Sequence, residues 1–290
     1  MSIIIFLYSQ KERKNIIMST EKLGVIGLGN MATAIMTGVI ESGSFESSTF
    51  RYFDTDIKRD AVANGLGIMQ TNGNEALAEE CKYILLAVKP DTVGSVLVEI
   101  RDIVTPNTVI ISIVAGISSK DIRVYLGKDC KVIRAMPNTP IMVKRGVTAL
   151  CHNSLVTDEE FQFATDLFSC SGIVETIPET KMNEIVAVHG STPAYIALIS
   201  KYFCEYASEQ GIPYETANKL FAETLIGTAK LMTETDYTQE EIIEQISTPN
   251  GATEKGIDAL NSWALQGAIF DCCEATIRRT YELAEENAVQ

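Results

Sequence analysis

The stretch GVIGLGNMATAI, Gly24 to Ile35, limits the fold of this 290-residue chain more than any other part of it. Gly27, Gly29 and Ala32 stand in G-x-G-x-x-A spacing, after an apolar run that predicts a strand and at the start of a pattern that predicts a helix. Gly27 permits a tight turn, Gly29 lets the backbone approach a pyrophosphate, and Ala32 keeps helix and strand close. Phosphates would then meet free N–H groups at the positive end of a helix. A glycine turn needed only for packing is the plainer alternative, and the coincidence of strand, helix and spacing weighs against it. The expected ligand is a dinucleotide.

Such a site needs an acidic residue at the end of the next strand, to accept hydrogen bonds from the adenosine ribose hydroxyls. Asp54 closes FRYFD, twenty-five residues beyond Gly29. Its charge opposes a 2′-phosphate, so the expected coenzyme is NAD(P)H with a lean to NADH, softened by Lys58 and Arg59. A cap on the following segment is the alternative role for Asp54. The strand ends LLAVKP and SIVAG bring Ala87, Val88, Lys89 and Pro90, and then Ala115 and Gly116, to the edge of the sheet where coenzymes bind. By composition alone Lys89 is as much a surface lysine as a phosphate contact.

From Lys22 to about Ile177, short apolar runs (KLGVIG, FRYFD, YILLAV, TVIISIV, KVIRAM) alternate with helix-length segments, and GVTAL and GIVETI add further strands. After Pro178 the strands stop and helical patterning takes over, with Gly211 and Pro213 as boundary signals and TQEE, Thr238 to Glu241, as a capping box. The expected fold is α/β: a Rossmann-type, doubly wound, mostly parallel sheet followed by an all-α dimerisation domain. Residues 20–178 form the first domain, 179–290 form a helical dimerisation and substrate-binding domain, and 1–19 form an extension outside the fold. IIIFLY, Ile3 to Tyr8, is no signal peptide, because KERK follows it instead of preceding it, and six apolar residues are too few to span a bilayer.

Composition excludes some partners. With 24 basic against 38 acidic residues the formal charge is −14, which repels nucleic acid, and a small anionic substrate needs local dipoles or isolated cations. Seven cysteines, with no C-x-x-C pair and no histidine at ligand spacing, suit reduced thiols in the cytoplasm; no metal site and no membrane contact are expected. Adjacent Cys272 and Cys273 face different directions on a helix and read as small apolar side chains rather than a redox pair. His152, in CHNS, reads as solvated.

Taken together, GLGNM, LAVKP, VIRAMPNTP, HGSTPAY and STPNGAT, in this order and spacing over about Lys22 to Leu283, resemble the pyrroline-5-carboxylate reductase family. The resemblance implies hydride transfer from NAD(P)H to the C=N carbon of a five-membered cyclic imino acid, giving proline. By the same resemblance, Gly27, Leu28, Gly29, Asn30 and Met31 form the phosphate turn, Asp54 meets the adenosine ribose, and Asn74 contacts the coenzyme, although alone it would read as a helix N-cap. Met136 to Pro140, with Met136 and Asn138 as substrate-side residues, lie close to the nicotinamide. STPNGAT matches the loop whose amides hold the substrate carboxylate: Pro249 stiffens it, Gly251 frees its dihedrals, and Thr253 is expected to cap a helix starting near Glu254. The carboxylate then meets Asn250, Gly251, Ala252 and Thr253.

This chain departs from the family pattern at His189 and Thr192, where serine and glycine are usual, at Asn250 in place of glycine, and at Leu198, where some members carry a hydroxyl. His189 has the chemistry to protonate the imine nitrogen, although a histidine bonded to backbone is the plainer reading. Ser191 is the candidate polar contact to the ring. Two alternatives stand beside the reductase: a β-hydroxyacid dehydrogenase, which would need Lys201 as its acid/base, and a catalytically inactive nucleotide-sensing protein. The apolar surface of YIALISKYFCEYA and LFAETLIGTAKLM points to a homodimer or an assembly of dimers, in which the carboxylate loop of one chain serves its partner's coenzyme.

Overall fold

The computed structural model of the protein describes residues 21–287; the expected extension at 1–19 lies outside them. Among the described residues eight strands form one sheet in the order β3-β2-β1-β4-β5-β6-β7-β8. They are β1 (Leu23–Ile26), β2 (Phe50–Phe53), β3 (Met69–Gln70), β4 (Tyr83–Leu86), β5 (Val109–Ser112), β6 (Lys131–Pro137), β7 (Gly146–His152) and β8 (Gly172–Thr176). The seven apolar runs from KLGVIG to GIVETI each became a strand. β3 was not foreseen, because its two exposed residues, Met69 and Gln70, are too few to make an apolar run. Pairing is parallel from β3 to β6, antiparallel between β6 and β7, and parallel again between β7 and β8. The reversal follows from the short link at residues 138–145, since a parallel crossover needs about a dozen residues.

Six helices flank the sheet: α1 (Asn30–Ser42), α2 (Arg59–Leu66), α3 (Asn74–Glu80), α4 (Pro90–Glu99), α5 (Ser119–Leu126) and α6 (Asp158–Ser169). Neighbouring strand residues face opposite ways, so Val25 joins Ile35, Met36 and Phe168 in one core while Ile26 joins Leu77, Val93 and Ile122 in another. Burial on both faces is what the unbroken apolar runs encode. Capping boxes fix the starts of α5 (Ser118 with Asp121) and α6 (Thr157 with Glu160).

The chain then forms α7 (Thr192–Glu209), α8 (Tyr214–Glu234), α9 (Gln239–Ile246), α10 (Ala252–Ser262) and α11 (Leu265–Asn287), with the Thr238 and Glu241 capping box at α9 as expected. Packing divides the described residues into two compact units: those up to Gly190 together with those from Arg278, and Ser191–Ile277. The last strand ends at Thr176, before Pro178, but residues 179–190 stay with the sheet. Met182, 1 % exposed, packs with Ala149 and Cys151 of β7. Glu179 accepts from the Ser119 amide at 2.8 Å and hydroxyl at 2.6 Å, and pairs with Arg134 at 3.1 Å. From Arg278 on, α11 belongs to the first unit, where Tyr281 donates to Glu184 at 3.0 Å. The second unit buries little of its own apolar surface: Cys204 and Ile242 are its buried hydrophobic residues, while Trp263 is 87 % exposed and Phe203, Tyr206 and Leu220 are more than half exposed.

Two predictions concern stability. Gly172 has φ +152° and a Cβ there would fall on the Gly146 carbonyl, so Gly172→Ala should lower unfolding stability by at least about 2 kcal/mol in urea. Gly65→Ala, in α2 with open space around it, should raise it by about 0.5–1 kcal/mol. Burial alone would raise the Glu179 carboxyl, but Ser119 and Arg134 outweigh it and hold the group below the ordinary carboxylate range. A depressed folded-state value means stability that is present above pH about 4.3 and is lost as pH falls further. Glu179→Gln should therefore cost about 1–2 kcal/mol at pH 7, with the difference from the parent protein shrinking below pH about 4.

Candidate functional site

The turn after β1 is built as the sequence requires. Gly27 sits at φ +88°, and a Cβ on it would press on the Ala87 carbonyl and Val88, so only glycine lets β1 pass the end of β4 this closely. Its amide donates to the Phe53 carbonyl at 2.9 Å. Gly29 is extended, with nothing within 4 Å of a hypothetical Cβ, and no side chain caps α1 behind it. That leaves an uncapped helix start open on one side, the setting in which amides bind phosphate.

A cleft of about 380 Å³ opens at the carboxyl ends of β1, β2 and β4. This is where the strand order turns from β1 outward in both directions, the switch point at which such sheets bind ligands. Gly27, Gly29, Asp54, Asn74, Ala87, Val88 and Lys89 all line it. Leu28 does not, because its side chain is wholly buried in the core and only its backbone contributes. Met31 packs against that same core, Asn30 lines a neighbouring groove, and Pro90 and Ala115 lie outside the lining. Of the two cations after Asp54, Arg59 lines the cleft and Lys58, the residue before α2, does not. Thr55, Thr92 and Val96 also line it, with no sequence signal beyond their place after a strand or in the first turns of α4.

Both oxygens of Asp54 are engaged: Oδ2 accepts from the Leu28 amide at 2.6 Å and Oδ1 from the Asp56 amide at 2.8 Å. The carboxylate thus braces the glycine turn and caps its own loop while facing the cleft. Asn74 is the first residue of α3 and not its cap, the cap position being Gly73; its Nδ2 donates to Glu99 at 2.9 Å.

The end of β6 is tied to the segment before α7 by side chains expected to meet substrate. Asn138, 6 % exposed, donates from Nδ2 to the His189 carbonyl at 3.0 Å and accepts the Val147 amide on Oδ1 at 2.8 Å. His189, 8 % exposed, has Nδ1 at 2.9 Å from the Ile185 carbonyl and Nε2 at 2.9 Å from that of half-buried Met136. Both ring nitrogens face main-chain carbonyls, so the geometry gives His189 a bracing part and leaves it no nitrogen for an imine. Asn138 likewise spends both ends of its amide within the protein.

In the second unit the STPNGAT loop turns at Asn250, φ +59°, a left-handed position that asparagine tolerates where the family usually has glycine. The Asn250 amide donates to Glu254 at 2.9 Å and that of Gly251 to the Thr248 carbonyl at 2.8 Å. Two of the amides expected to hold a carboxylate are therefore occupied within the chain. Thr253 does not cap the helix: Gly251 takes the cap position and α10 starts at Ala252, which places Thr253 inside the first turn. Ser191 precedes α7 without capping it, and Leu198 is 47 % exposed. Lys201 is exposed and pairs with Glu205 at 3.6 Å, an ordinary i,i+4 surface pair that gives the dehydrogenase alternative no buried acid/base.

His152 is exposed, as expected, with its ring against Phe161. All seven cysteines are free, and burial pushes Cys81 up to about 12 and Cys151 up to about 11. Among the described residues no group of three His, Cys, Asp or Glu side chains is placed to hold a metal, and no helix is long and apolar enough to cross a membrane.

Comparison with known proteins agrees with this arrangement. Residues 179–283 match the family model described as pyrroline-5-carboxylate reductase dimerisation, and residues 22–116 match that of NADP oxidoreductase, coenzyme F420-dependent. The chain is 31 % identical to pyrroline-5-carboxylate reductase of Escherichia coli K12, over 91 % of this chain and 99 % of that protein. Two solved structures superpose closely. A pyrroline-5-carboxylate reductase from Coxiella burnetii has a TM-score of 0.86 at 31 % identity, with 91 % of this chain and 99 % of that one covered. The Plasmodium falciparum pyrroline carboxylate reductase with NADP bound has a TM-score of 0.84 at 26 % identity, with 92 % and 99 % covered. With the glycine turn, the cleft at the switch point and near-complete coverage of its relatives, the chain belongs to the pyrroline-5-carboxylate reductase family.

Proposed function

We propose that this protein reduces 1-pyrroline-5-carboxylate to L-proline with NAD(P)H, preferring NADH, as a homodimer in the cytoplasm. The observation that carries the reading is the cleft at the β1 and β4 ends, shaped by Gly27 and Gly29 and edged by Asp54, in a chain that matches reductases along almost their whole length. The residues fit a dinucleotide: Gly29 leaves open space before an uncapped helix, and Asn74 Oδ1 is a buried polar atom with no partner in the protein. Gly27, Gly29, Asn74 and Ala87 to Lys89 would hold the coenzyme, and when bound it supplies the hydride.

The chain's own part is binding and orientation. Asp54 accepts ribose hydroxyls and opposes a 2′-phosphate, with Arg59, which also lines the cleft, tempering that choice. The substrate carboxylate is assigned to the start of α10, at Asn250 to Thr253, where a helix N-terminus holds an anion without an Arg or Lys. Since Glu254 already holds the Asn250 amide, the substrate has to displace it or use the later amides. Ser191 is assigned the polar contact to the ring, and solvent supplies the proton. Met136, braced through its carbonyl by His189, is assigned to the substrate side. The free thiols suit a reducing compartment, and the exposed apolar surface of α7 and α8 suits a second copy of the chain.

Purified protein should oxidise NADH in the presence of the five-membered imino acid and form proline; turnover with a hydroxy acid instead, or with neither, sinks the reading. Asp54→Ser should cut the NADH-to-NADPH ratio of kcat/KM about tenfold or more, and the ratio is informative because any loosening at Leu28 affects both coenzymes alike. An unchanged ratio overturns the NADH assignment. Light scattering after gel filtration should give at least a dimer, and a stable, fully active monomer at nanomolar concentration would refute the assembly.

A further inference from the structure

One polar atom of the cleft has no counterpart in the protein. Asn74 is 6 % exposed and lines the cleft with Asp54, and its Oδ1 is buried without a hydrogen-bond partner. A buried amide oxygen is costly to leave unpaired, so in a binding cleft such an atom marks where a ligand donor completes the set. The other end of the same amide is engaged by the protein, one N–H of Nδ2 donating to Glu99 Oε2 at 2.9 Å.

Glu99 decides which end is left over. A carboxylate only accepts, so the rotamer that presents NH₂ to Glu99 is stabilised and the flipped one would set oxygen against oxygen. The position of Glu99 does not serve its helix: it is the last residue of α4, where a negative charge opposes the helix dipole, and among the described residues no Lys or Arg pairs with it.

We infer that Glu99, an exposed residue outside the cleft lining, is a positioning residue for the coenzyme: it fixes the orientation of the Asn74 amide so that the Oδ1 acceptor is left for the ligand, which favours a ribose hydroxyl over a phosphate oxygen. This rests on the reading of the cleft as the NAD(P)H site. Asp54 and Asn74 then present acceptors together, and the preference for an unphosphorylated ribose has a second source besides the Asp54 charge.

The test is NADH binding, followed by its own fluorescence without substrate, in the parent protein, Glu99→Ala, Asn74→Ala and the double variant. Glu99→Ala should raise the Kd for NADH about fivefold, and should add nothing in the Asn74→Ala background. Glu99→Gln, which can accept the same hydrogen bond, should restore most of the affinity, and the loss in Glu99→Ala should fall in KM for NADH rather than in kcat. An unchanged Kd, or losses that add in the double variant, overturns the inference. If the parent protein does not bind NADH, the reading of the cleft falls with it. If binding and coupling hold but no imine is reduced, the positioning role stands and the proposed reaction fails.

Discussion

The Leu28 amide donates to the Asp54 carboxylate at 2.6 Å, and through that bond the turn after β1 and the end of β2 hold each other in place. The buried Leu28 side chain anchors the same turn from below, while the Gly27 amide is bound to the Phe53 carbonyl. Three constraints converge on three residues, so the open face at Gly29 is fixed before any ligand arrives. Such preorganisation lowers the ordering cost of binding. It also gives Asp54 a task within the protein beside the proposed one toward a ribose, and explains why an acidic residue is useful here even before a coenzyme is considered.

The charge of the chain makes the choice of anion-binding groups intelligible. At −14 the surface field is unfavourable to phosphates and carboxylates at long range. Both anion sites assigned here are helix starts, α1 and α10, whose attraction is local and fades within a turn. Neither helix carries a side-chain cap at its first turn, in contrast to α5, α6 and α9, which have reciprocal capping boxes. Glycine at the cap position of both leaves the first amides without a side-chain acceptor, as a proposed anion site requires.

Much of this was legible in the sequence because it depends on short-range pattern. Apolar runs marked seven of the eight strands, the TQEE box marked α9, and G-x-G-x-x-A, Asp54 and the LLAVKP strand end marked Gly27, Gly29, Asp54 and Ala87 to Lys89 of the cleft. Features set by contacts distant in sequence were not. Arg59 enters the cleft and Lys58 stays out because α2 turns one inward, and adjacent residues do not reveal that. Asn138 and His189, fifty-one residues apart, read as candidate site groups from motif alone, and only their mutual hydrogen bonding with Met136 and Val147 shows that they brace the backbone. The stay of residues 179–190 with the sheet depends on Glu179 reaching Ser119, sixty positions earlier. Thr253 was displaced from its expected cap by a glycine two residues before it, which is within the usual uncertainty of helix ends.

The path of α11 has a consequence for how the molecule is made. Its first thirteen residues belong to one compact unit and its last ten to the other, beside Glu184. The helical unit is thus an insertion with two covalent strands of attachment, and the sheet unit is discontinuous in sequence. The last segment of the sheet unit is translated only after the whole helical unit, so the sheet unit cannot be complete on the ribosome before that unit has been made.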